Sequence, residues 1–337
     1  MASNSRYSNV LLIRFSAIGD VAMTVPVVQS LAACYPDTRF TFLSNARFEP
    51  FFDGLPGNFS FMGVDLKKDY HGTDGIFRLF NVLESMQFDA VADLHGVLRT
   101  SLLDALFRSH GVKVCQIRKD RFSRHKLTRR YMKDMSPRKS SFERYHSVLS
   151  SLGFDFEIDY RPVRKPVPEV LGEKNCKWIG VAPFAAHEGK IYPLDLMERV
   201  VAMADAAGPC RIFVFAYGRE LEQVSGWTGK YASVEMINPT LGMRGELALM
   251  GHLDVMLAMD SSNMHLASLA GTRVVSVWGA THTAAGFLGF GQDEADCVQV
   301  ELPCRPCSIY GKKPCRFGDY RCLRSINPET IFSKLAL

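Results

Sequence analysis

The stretch DVMLAMDSSNMHLASLAGTRVVSVWGAT, residues 254–281, decides the fold. Its apolar run over 254–260 predicts a buried strand, and the small polar residues after that strand open a short helix over 264–270. Gly271 ends this helix, and the apolar run over 272–279 predicts a second strand. Two strands joined through a helix pair in parallel, so the stretch predicts an α/β fold with a parallel sheet.

The same alternation of strand and helix runs through both halves of the chain. The further strands are predicted over 9–15, 39–43, 90–94, 177–183 and 211–218, and the further helices over 21–34, 76–86 and 194–207. Pro26 is expected to kink or shift the first turn of the helix over 21–34. The sequence therefore predicts two α/β halves, each with a parallel sheet.

A proline-rich connector separates these halves. RPVRKPVPE at 161–169 has three prolines in nine residues, which predicts a stiff, extended backbone. We therefore expect an N-terminal domain over 1–162 and a C-terminal domain over 163–320. Residues 321–337 are expected to form a C-terminal helix that packs back toward the N-terminal domain.

Composition excludes several classes of protein. The chain has 337 residues, of which 47% are hydrophobic and 22% charged, as in folded globular proteins and unlike disordered chains, collagen or coiled coils. No run of 18 apolar residues is present, so no spanning helix is expected. The polar start at 1–9 does not resemble a secretory signal, and we expect a cytoplasmic protein.

Two loops carry candidate chemistry. In SAIGDV at 16–21, Asp20 follows the first strand on a glycine turn, where it could act as a general base or cap the next helix. In DSSN at 260–263, a helix begins whose free N–H groups and dipole favour a diphosphate. Ser261 and Ser262 could equally be plain N-caps. Neither a GxGxxG fingerprint nor a Walker A sequence is present, so the standard dinucleotide and P-loop interpretations lack their motifs.

Several short motifs resemble glycosyltransferase family 9, which contains the bacterial lipopolysaccharide heptosyltransferases. They are SAIGDV at 16–21, DLHGVLRT at 93–100, KIYP at 190–193, DSSNMHLA at 260–267, VWGAT at 277–281 and the cysteine-bearing segment 303–329. The resemblance extends over about residues 10–331. Each motif is short, but their order and spacing together are specific.

The resemblance implies the GT-B architecture, in which two Rossmann-like domains with parallel sheets face each other across a cleft. It implies an acceptor on the N-terminal domain, a nucleotide sugar on the C-terminal domain, and inverting transfer that requires no metal or other cofactor. Asp20 takes the role of the catalytic base, and Lys190 neutralises the departing diphosphate. ADP-heptose is the commonest donor in the family, and lipopolysaccharide core or a similar envelope glycolipid is the acceptor.

The remaining candidate site residues also follow from the resemblance. The donor-binding set is Asp260, Ser261, Ser262, His265, Glu222, Gly279, Ala280, Thr281 and His187, with Glu220 as the rival of Glu222 for the ribose. The acceptor-binding set is Ser16, Gly19, Asp93, His95, Arg99, Arg121 and Arg130. The family usually has Gly-Pro where this chain has Ser262-Asn263, and serine crowds a position where glycine lets the backbone approach a phosphate.

Positive charge is concentrated in one segment. Residues 108–144 hold thirteen Lys and Arg against three acidic side chains, a net charge of +10, whereas the whole chain carries +5. Such a field attracts nucleic acid, a phosphorylated substrate or an anionic membrane surface, unless it is simply a solvated face. Few aromatic residues interleave with it, which disfavours nucleic acid. We expect it to contact the anionic glycolipid acceptor or the inner face of the cytoplasmic membrane.

Four of the nine cysteines are bunched near the end of the chain. Cys304, Cys307, Cys315 and Cys322 begin with a zinc-like Cys-x2-Cys pair, but the second pair is spread more widely than in zinc sites. A structural zinc, reduced packing thiols and one disulfide are the three interpretations. No metal is expected to take part in catalysis.

Two other functions fit the sequence. A nucleotide-sugar epimerase could use the same fold, and the Ser262-Asn263 departure could mark a protein that binds nucleotide sugar but has lost its activity. An epimerase would consume nucleotide sugar without an acceptor. A binding protein would be stabilised by nucleotide without turnover.

Overall fold

The computed structural model describes residues 6–336, so residues 1–5 of the polar start and Leu337 lie outside the described part. The strands are β1 (Asn9–Ile13), β2 (Arg39–Asn45), β3 (Phe59–Val64), β4 (Ala90–Asp93), β5 (Lys113–Gln116), β6 (Lys177–Ala182), β7 (Cys210–Val214), β8 (Val234–Met236), β9 (Val255–Met259), β10 (Val274–Val277) and β11 (Cys297–Val298). The helices are α1 (Ile18–Ala22), α2 (Val25–Cys34), α3 (Gly72–Glu84), α4 (Leu98–Ser109), α5 (Arg121–Leu127), α6 (Ser141–Leu152), α7 (Leu194–Ala206), α8 (Arg219–Val224), α9 (Trp227–Lys230), α10 (Gly242–Met250), α11 (Ser262–Leu269), α12 (Arg321–Arg324) and α13 (Pro328–Leu335).

The chain divides into two units. The first comprises the residues up to Asp120 together with Ser141–Val163, and the second comprises Arg121–Ser140 and the residues from Arg164 onward. Each unit has one parallel sheet with helices between its strands, which confirms the predicted α/β fold. No helix among residues 6–336 is both long enough and apolar enough to span a bilayer.

The sheet of the first unit has the strand order β3-β2-β1-β4-β5. Its central strand β1 is entirely buried and pairs in parallel with β2 and β4. The chain runs outward from β1 in one direction and resumes at β4 in the other, so a topological switch point lies between these two strands. Because ligands of open α/β sheets bind beyond the carboxyl ends of the strands at such a point, the loops after β1 and β4 are the expected site of this unit.

The sheet of the second unit has the order β11-β10-β9-β6-β7-β8. The switch point here lies between β6 and β9, whose central residues are buried and pair as Val181 with Leu257. The core of this unit packs β6, β7 and β9 against α7. The loops after β6 and β9 are therefore the corresponding site of the second unit.

Two helices occupy the segment predicted as one helix over 21–34. α1 ends at Ala22 and α2 begins at Val25, with Pro26 in its first turn. Proline has no N–H to donate and is tolerated only in the first turn of a helix, so Pro26 marks a new start instead of a kink. The hydroxyl of Thr24 donates to the carbonyl oxygen of Val21 at 2.7 Å and closes the junction.

The central stretch of the basic segment, Arg121–Ser140, departs from the expected domain limits, because it belongs to the second unit. Lys133 Nζ donates to the carbonyl oxygens of Cys304 at 2.9 Å and Pro306 at 2.6 Å. The backbone nitrogen of Arg138 donates to the carbonyl oxygen of Ala284 at 2.9 Å. These long-range hydrogen bonds hold the segment on the second unit, and the sequence pattern gave no sign of them.

The C-terminal helix also departs from its expected position. We expected residues 321–337 to pack toward the N-terminal domain, but α13 packs against α7 of the second unit. Ile331 and Leu335 of α13 are buried in the core of that unit. Arg199 on α7 forms an ion pair of 2.9 Å with Glu329. Burial of the apolar stripe of α13 therefore fixes the helix on the second unit.

Candidate active site

Asp20 lies in the first turn of α1, directly after β1 at the first switch point. Its Oδ2 lies 2.9 Å from Nη2 of Arg14 and accepts a hydrogen bond from the backbone nitrogen of Ala17 at 3.3 Å. The Asp20 side chain is 36% exposed. The carboxylate therefore returns to the backbone that precedes its helix, as a capping residue does, and remains partly accessible to solvent.

Arg14 supports this carboxylate and is absent from the predicted site residues. It is 8% exposed, and its Nη1 donates to the carbonyl oxygen of Leu94 at 2.5 Å. Burial opposes the charge, but the neighbouring Tyr145 and Asp20 raise the pKa of Arg14 above its ordinary value. The signal for it in the sequence is a charged residue within the apolar run over 9–15.

The loop after β4 brings two predicted acceptor residues to the same edge. Asp93 Oδ1 accepts hydrogen bonds from the backbone nitrogens of His95 at 2.8 Å and Gly96 at 3.0 Å. His95 Nε2 lies 3.4 Å from Oγ of Ser16. Burial and the charge of Arg14 lower the pKa of His95 to about 4, so the ring is neutral near pH 7. The predicted base Asp20 and the predicted acceptor residues Ser16, Asp93 and His95 therefore lie around one switch point, and their roles toward an acceptor stay a prediction.

Lys190 and Asp260 meet at the second switch point. Lys190 ends the short 3-10 helix Glu188–Lys190 after β6, and its Nζ lies 2.9 Å from Oδ2 of Asp260 after β9. The Lys190 side chain is 16% exposed and that of Asp260 is 4% exposed. A Cβ at Gly311 would lie 2.6 Å from Cγ of Lys190, so the backbone at Gly311 packs closely on the lysine stem. The lysine is therefore held in place with its charge at the sheet edge.

The turn after β10 packs directly against the lysine turn. The backbone nitrogen of Ala280 donates to the carbonyl oxygen of Gly189 at 2.8 Å. A Cβ at Gly279 would lie 2.5 Å from that same oxygen, so this position requires glycine. The guanidinium of Arg305, which is 4% exposed, donates to the carbonyl oxygens of Gly279 at 2.5 Å and Thr281 at 2.8 Å. We did not predict Arg305, because its segment drew attention only for its cysteines.

Two buried hydroxyl oxygens beside this turn have no hydrogen-bond partner among residues 6–336. They are Oγ of Ser261 and Oγ1 of Thr281. Ser261 is the N-cap residue of α11, yet its side chain makes no capping bond there, so the plain-cap interpretation does not hold for Ser261. A buried polar group without a partner costs about 1–3 kcal/mol. Oxygen atoms of a ligand would give both hydroxyls a hydrogen-bond partner. The free N–H groups at the start of α11 suit a phosphate.

The other predicted donor residues are less uniformly placed. His187 directly precedes the lysine turn, and its carbonyl oxygen accepts from the Lys190 nitrogen at 2.9 Å. His265 is buried within α11 at 9% exposure. Glu222 is exposed on α8, whereas Glu220 lines a cavity of about 340 Å³ beside the lysine turn. Glu220, the rival residue, therefore shares a cavity with Glu188 and Ile191 on either side of Lys190.

The predicted acceptor arginines do not belong to one unit. Arg99 is exposed in the first turn of α4, in the first unit. Arg121 and Arg130 lie within Arg121–Ser140, the stretch of the basic segment that belongs to the second unit. Gly19 is buried within α1, where its carbonyl oxygen accepts from the nitrogen of Met23 at 2.9 Å. The expectation that all these residues share the N-terminal domain is thus wrong for Arg121 and Arg130.

The four bunched cysteines line one cavity of about 200 Å³ in the second unit. Cys304, Cys307, Cys315 and Cys322 are all free thiols, so the disulfide interpretation does not hold in this structure. Basic side chains share the lining of the cavity: Arg129, Arg130, Lys133, Lys313, Arg316 and Arg321. Within residues 6–336, no group of three or more His, Cys, Asp or Glu side chains has an arrangement that could hold a metal ion.

Comparison with known sequences identifies the family. The model of "Glycosyltransferase family 9 (heptosyltransferase)" matches residues 76–320 of the chain, well over half of its length. The chain belongs to glycosyltransferase family 9. Lipopolysaccharide heptosyltransferase 3 of Escherichia coli K12 is similar to this family 9 glycosyltransferase, with 23% identity over 290 residues that cover 78% of this chain and 80% of the relative.

Solved structures show the same fold as this family 9 glycosyltransferase. A glycosyltransferase family 9 protein from Veillonella parvula superposes with a TM-score of 0.74 at 18% identity, covering 100% of this chain and 99% of its own. The E. coli ADP-heptose lipopolysaccharide heptosyltransferase II superposes with a TM-score of 0.70 at 14% identity, and 97% of each chain is covered. The two parallel α/β units are therefore the Rossmann-like domains of the GT-B fold, as the resemblance implied.

Proposed function

We propose that this family 9 glycosyltransferase moves heptose from ADP-heptose to an anionic acceptor of the lipopolysaccharide-core type. The observation that carries the proposal is the ion pair of Lys190 and Asp260 at the second switch point. The hydroxyl oxygens of Ser261 and Thr281 have no hydrogen-bond partner among the described residues and add to it. The names of two similar proteins, a lipopolysaccharide heptosyltransferase and an ADP-heptose heptosyltransferase, support the donor and the acceptor class.

The second unit supplies the donor site in this proposal. The diphosphate accepts hydrogen bonds from the first N–H groups of α11 and from Oγ of Ser261, and it draws Lys190 away from Asp260. Ser262 stands where the family usually has glycine, so its N–H remains available but its side chain narrows the approach. The turn over 279–281, fixed by Arg305, lines the same site.

The first unit supplies the acceptor site and the base. Asp20 takes the proton from an acceptor hydroxyl, and the oxygen attacks the anomeric carbon from the face opposite the diphosphate. The new glycosidic C–O bond forms as the C–O bond to the phosphate breaks, and ADP leaves with the bonding electron pair. The configuration at the anomeric carbon is inverted. Arg14 orients Asp20, and the neutral ring of His95 offers a hydrogen bond to the acceptor.

The basic segment supports a place at the inner face of the cytoplasmic membrane. Between Arg121 and Ser140, the large side chains of Phe122, Tyr131 and Met132 are 69%, 70% and 92% exposed among arginines and lysines. Exposed apolar side chains beside cationic ones are typical of surfaces that bind anionic lipid. Co-sedimentation with anionic vesicles at low salt tests this part of the proposal, and equal binding to neutral vesicles would contradict it.

The decisive experiment measures ADP release from ADP-heptose with and without a heptose-deficient lipopolysaccharide core. We expect release that depends on the acceptor and persists in EDTA. Asp20→Ala should abolish turnover while leaving donor binding intact, whereas Asp37→Ala, at an exposed aspartate of the same unit, should have no effect. Turnover of ADP-heptose without acceptor would indicate an epimerase instead.

A thermal-shift panel of ADP-, GDP-, UDP- and dTDP-linked sugars separates the remaining interpretations. We expect stabilisation by the ADP-linked sugar, because a ligand that binds the folded state alone raises its stability. Stabilisation by the ADP-linked sugar without any turnover would indicate a binding protein that has lost its activity. A preference for another nucleotide would overturn the assignment of the donor.

A further inference from the structure

Two carboxyl groups are buried together behind the loop after β4. Asp93 and Asp104 are each 0% exposed. Nε2 of Gln116 lies 3.0 Å from Oδ2 of Asp93, 2.7 Å from Oδ2 of Asp104 and 3.0 Å from Oγ of Ser101. An amide nitrogen carries only two hydrogens, so Gln116 can give at most one to each carboxyl group. The two carboxyl groups therefore share a single neutral donor group.

One carboxyl oxygen of the cluster receives no hydrogen bond from residues 6–336. Oδ1 of Asp104 is buried and, among the described residues, has no hydrogen-bond partner. Two carboxylates in contact within a buried site cannot both carry a charge without a large energetic cost. A proton on Asp104 that is donated to Asp93 removes this repulsion.

The charged groups around Asp104 support the same assignment. Burial and the negative charge of Asp93 on β4 raise the pKa of Asp104 to about 7, and Arg108 on α4 opposes this shift. Gln116 on β5 is neutral. Arg14, beyond the end of β1, interacts with Asp93 and already forms an ion pair with Asp20. The cluster therefore holds two carboxyl groups that share one proton below about pH 7.

We propose that Asp104 is a positioning residue, whose proton holds Asp93 in the orientation that fixes the backbone of His95 and Gly96. Oδ1 of Asp93 accepts from the nitrogens of both residues, so this carboxylate sets the shape of the loop. Asp104 touches no substrate and acts only through Asp93. The link to acceptor binding rests on the proposed function, whereas the shared proton does not.

The proposal makes the acceptor loop sensitive to pH near neutrality. Loss of the Asp104 proton places a second negative charge against Asp93, and the hydrogen bonds from Asp93 to the loop weaken as the two carboxylates separate. His95 is not the titrating group, because its pKa is lowered to about 4. We therefore expect the KM for the acceptor to rise above neutral pH while kcat stays constant.

The first test is NMR of the whole chain with 13C-labelled aspartate carboxyls. We expect one carboxyl, assigned to Asp104, to titrate near pH 7, and the amide signals of His95 and Gly96 to move with the same midpoint. Asp104→Asn keeps a donor toward Asp93 and should remove this titration. Asp37→Asn makes the same change of charge at an exposed site and should leave it intact.

The wild-type titration decides the proposal even if Asp104→Asn does not fold. If no buried carboxyl titrates between about pH 5.5 and 8.5, the shared proton does not exist and the proposal is overturned. In the activity assay, the acceptor KM of the wild type should rise at least about threefold across this range, and that of Asp104→Asn should stay flat. If no acceptor is turned over, the proposed function fails, but the NMR result still stands.

Discussion

Nη2 of Arg14 lies 2.9 Å from Oδ2 of Asp20, and the guanidinium reaches this point from a buried site at the end of β1. The same side chain donates to the carbonyl oxygen of Leu94, and its Cζ lies 5.5 Å from the ring centroid of Tyr145. Tyr145 in turn donates to the carbonyl oxygen of Asp20 at 3.2 Å. Arg14 thus joins the loops after β1 and β4 and fixes the orientation of the proposed base.

We predict that Arg14→Lys lowers kcat at least about tenfold, because lysine keeps the charge but cannot reproduce the planar set of donors. Donor binding by the second unit should not change. Steady-state kinetics together with thermal shifts in ADP-heptose would measure both effects. Unaltered kcat in a folded variant would show that Asp20 does not depend on Arg14.

Variants of the ion pair between Lys190 and Asp260 distinguish its effect on protein stability from its effect on donor affinity. Lys190→Met leaves the buried Asp260 carboxylate without its cation and should lower the free energy of unfolding by about 3–5 kcal/mol. The double variant Lys190→Met/Asp260→Asn removes both charges and should recover much of that loss. Donor affinity should remain low in both variants. Recovery of donor affinity in the double variant would contradict the role of Lys190 at the diphosphate.

A matched pair of glycines tests the packing of the turn after β10. Gly279→Ala places a methyl group 2.5 Å from the carbonyl oxygen of Gly189 and 2.6 Å from Cγ of Leu323, so it should destabilise the protein by about 1–3 kcal/mol. Gly229→Ala on α9 meets no atom within 4 Å and should be neutral or stabilising by up to about 1 kcal/mol. Equal denaturation midpoints for the two variants would show that the turn accommodates the added methyl group without loss of stability.

Burial of His95 links acid pH to stability. The pKa of His95 falls from 6.5 to about 4 on folding, so between these values the unfolded state binds more protons than the folded state. The free energy of unfolding of the wild type, relative to that of His95→Gln, should therefore decrease as the pH falls through this window and stay constant above it. Urea titrations of both proteins at several pH values would measure the difference, and a difference that does not change with pH would show that His95 titrates normally.

The sequence predicted the central strands well, because buried strands such as β1 and β9 are continuous apolar runs. Asp20 and Asp260, from the motifs that follow these strands, lie at the two switch points, and their roles stay a prediction. It missed β3, whose residues 59–64 are mostly half-buried or exposed and show no clear apolar run. β5 and β8 are short, and β5 lies within the basic segment, where charge masks the strand pattern.

Long-range contacts explain most of the remaining errors. Arg305 reaches the carbonyl oxygens of Gly279 and Thr281 across more than twenty residues, and no local pattern encodes that reach. The basic segment leaves the first unit at Arg121 because its acceptors lie near the far end of the chain, at Cys304 and Pro306. Asp104 looked like an ordinary helix residue, since its partners lie on neighbouring strands.

The discontinuous second unit has a practical consequence for anyone who wishes to express this unit, the proposed donor half, alone. A fragment cloned from Arg164 onward would lack Lys133 and Arg138, which hold the loops at Cys304 and Ala284. A self-sufficient fragment would need residues 121–140 joined to it again through an artificial linker. Under the proposed function, we expect such a chimaera to bind nucleotide without the first unit.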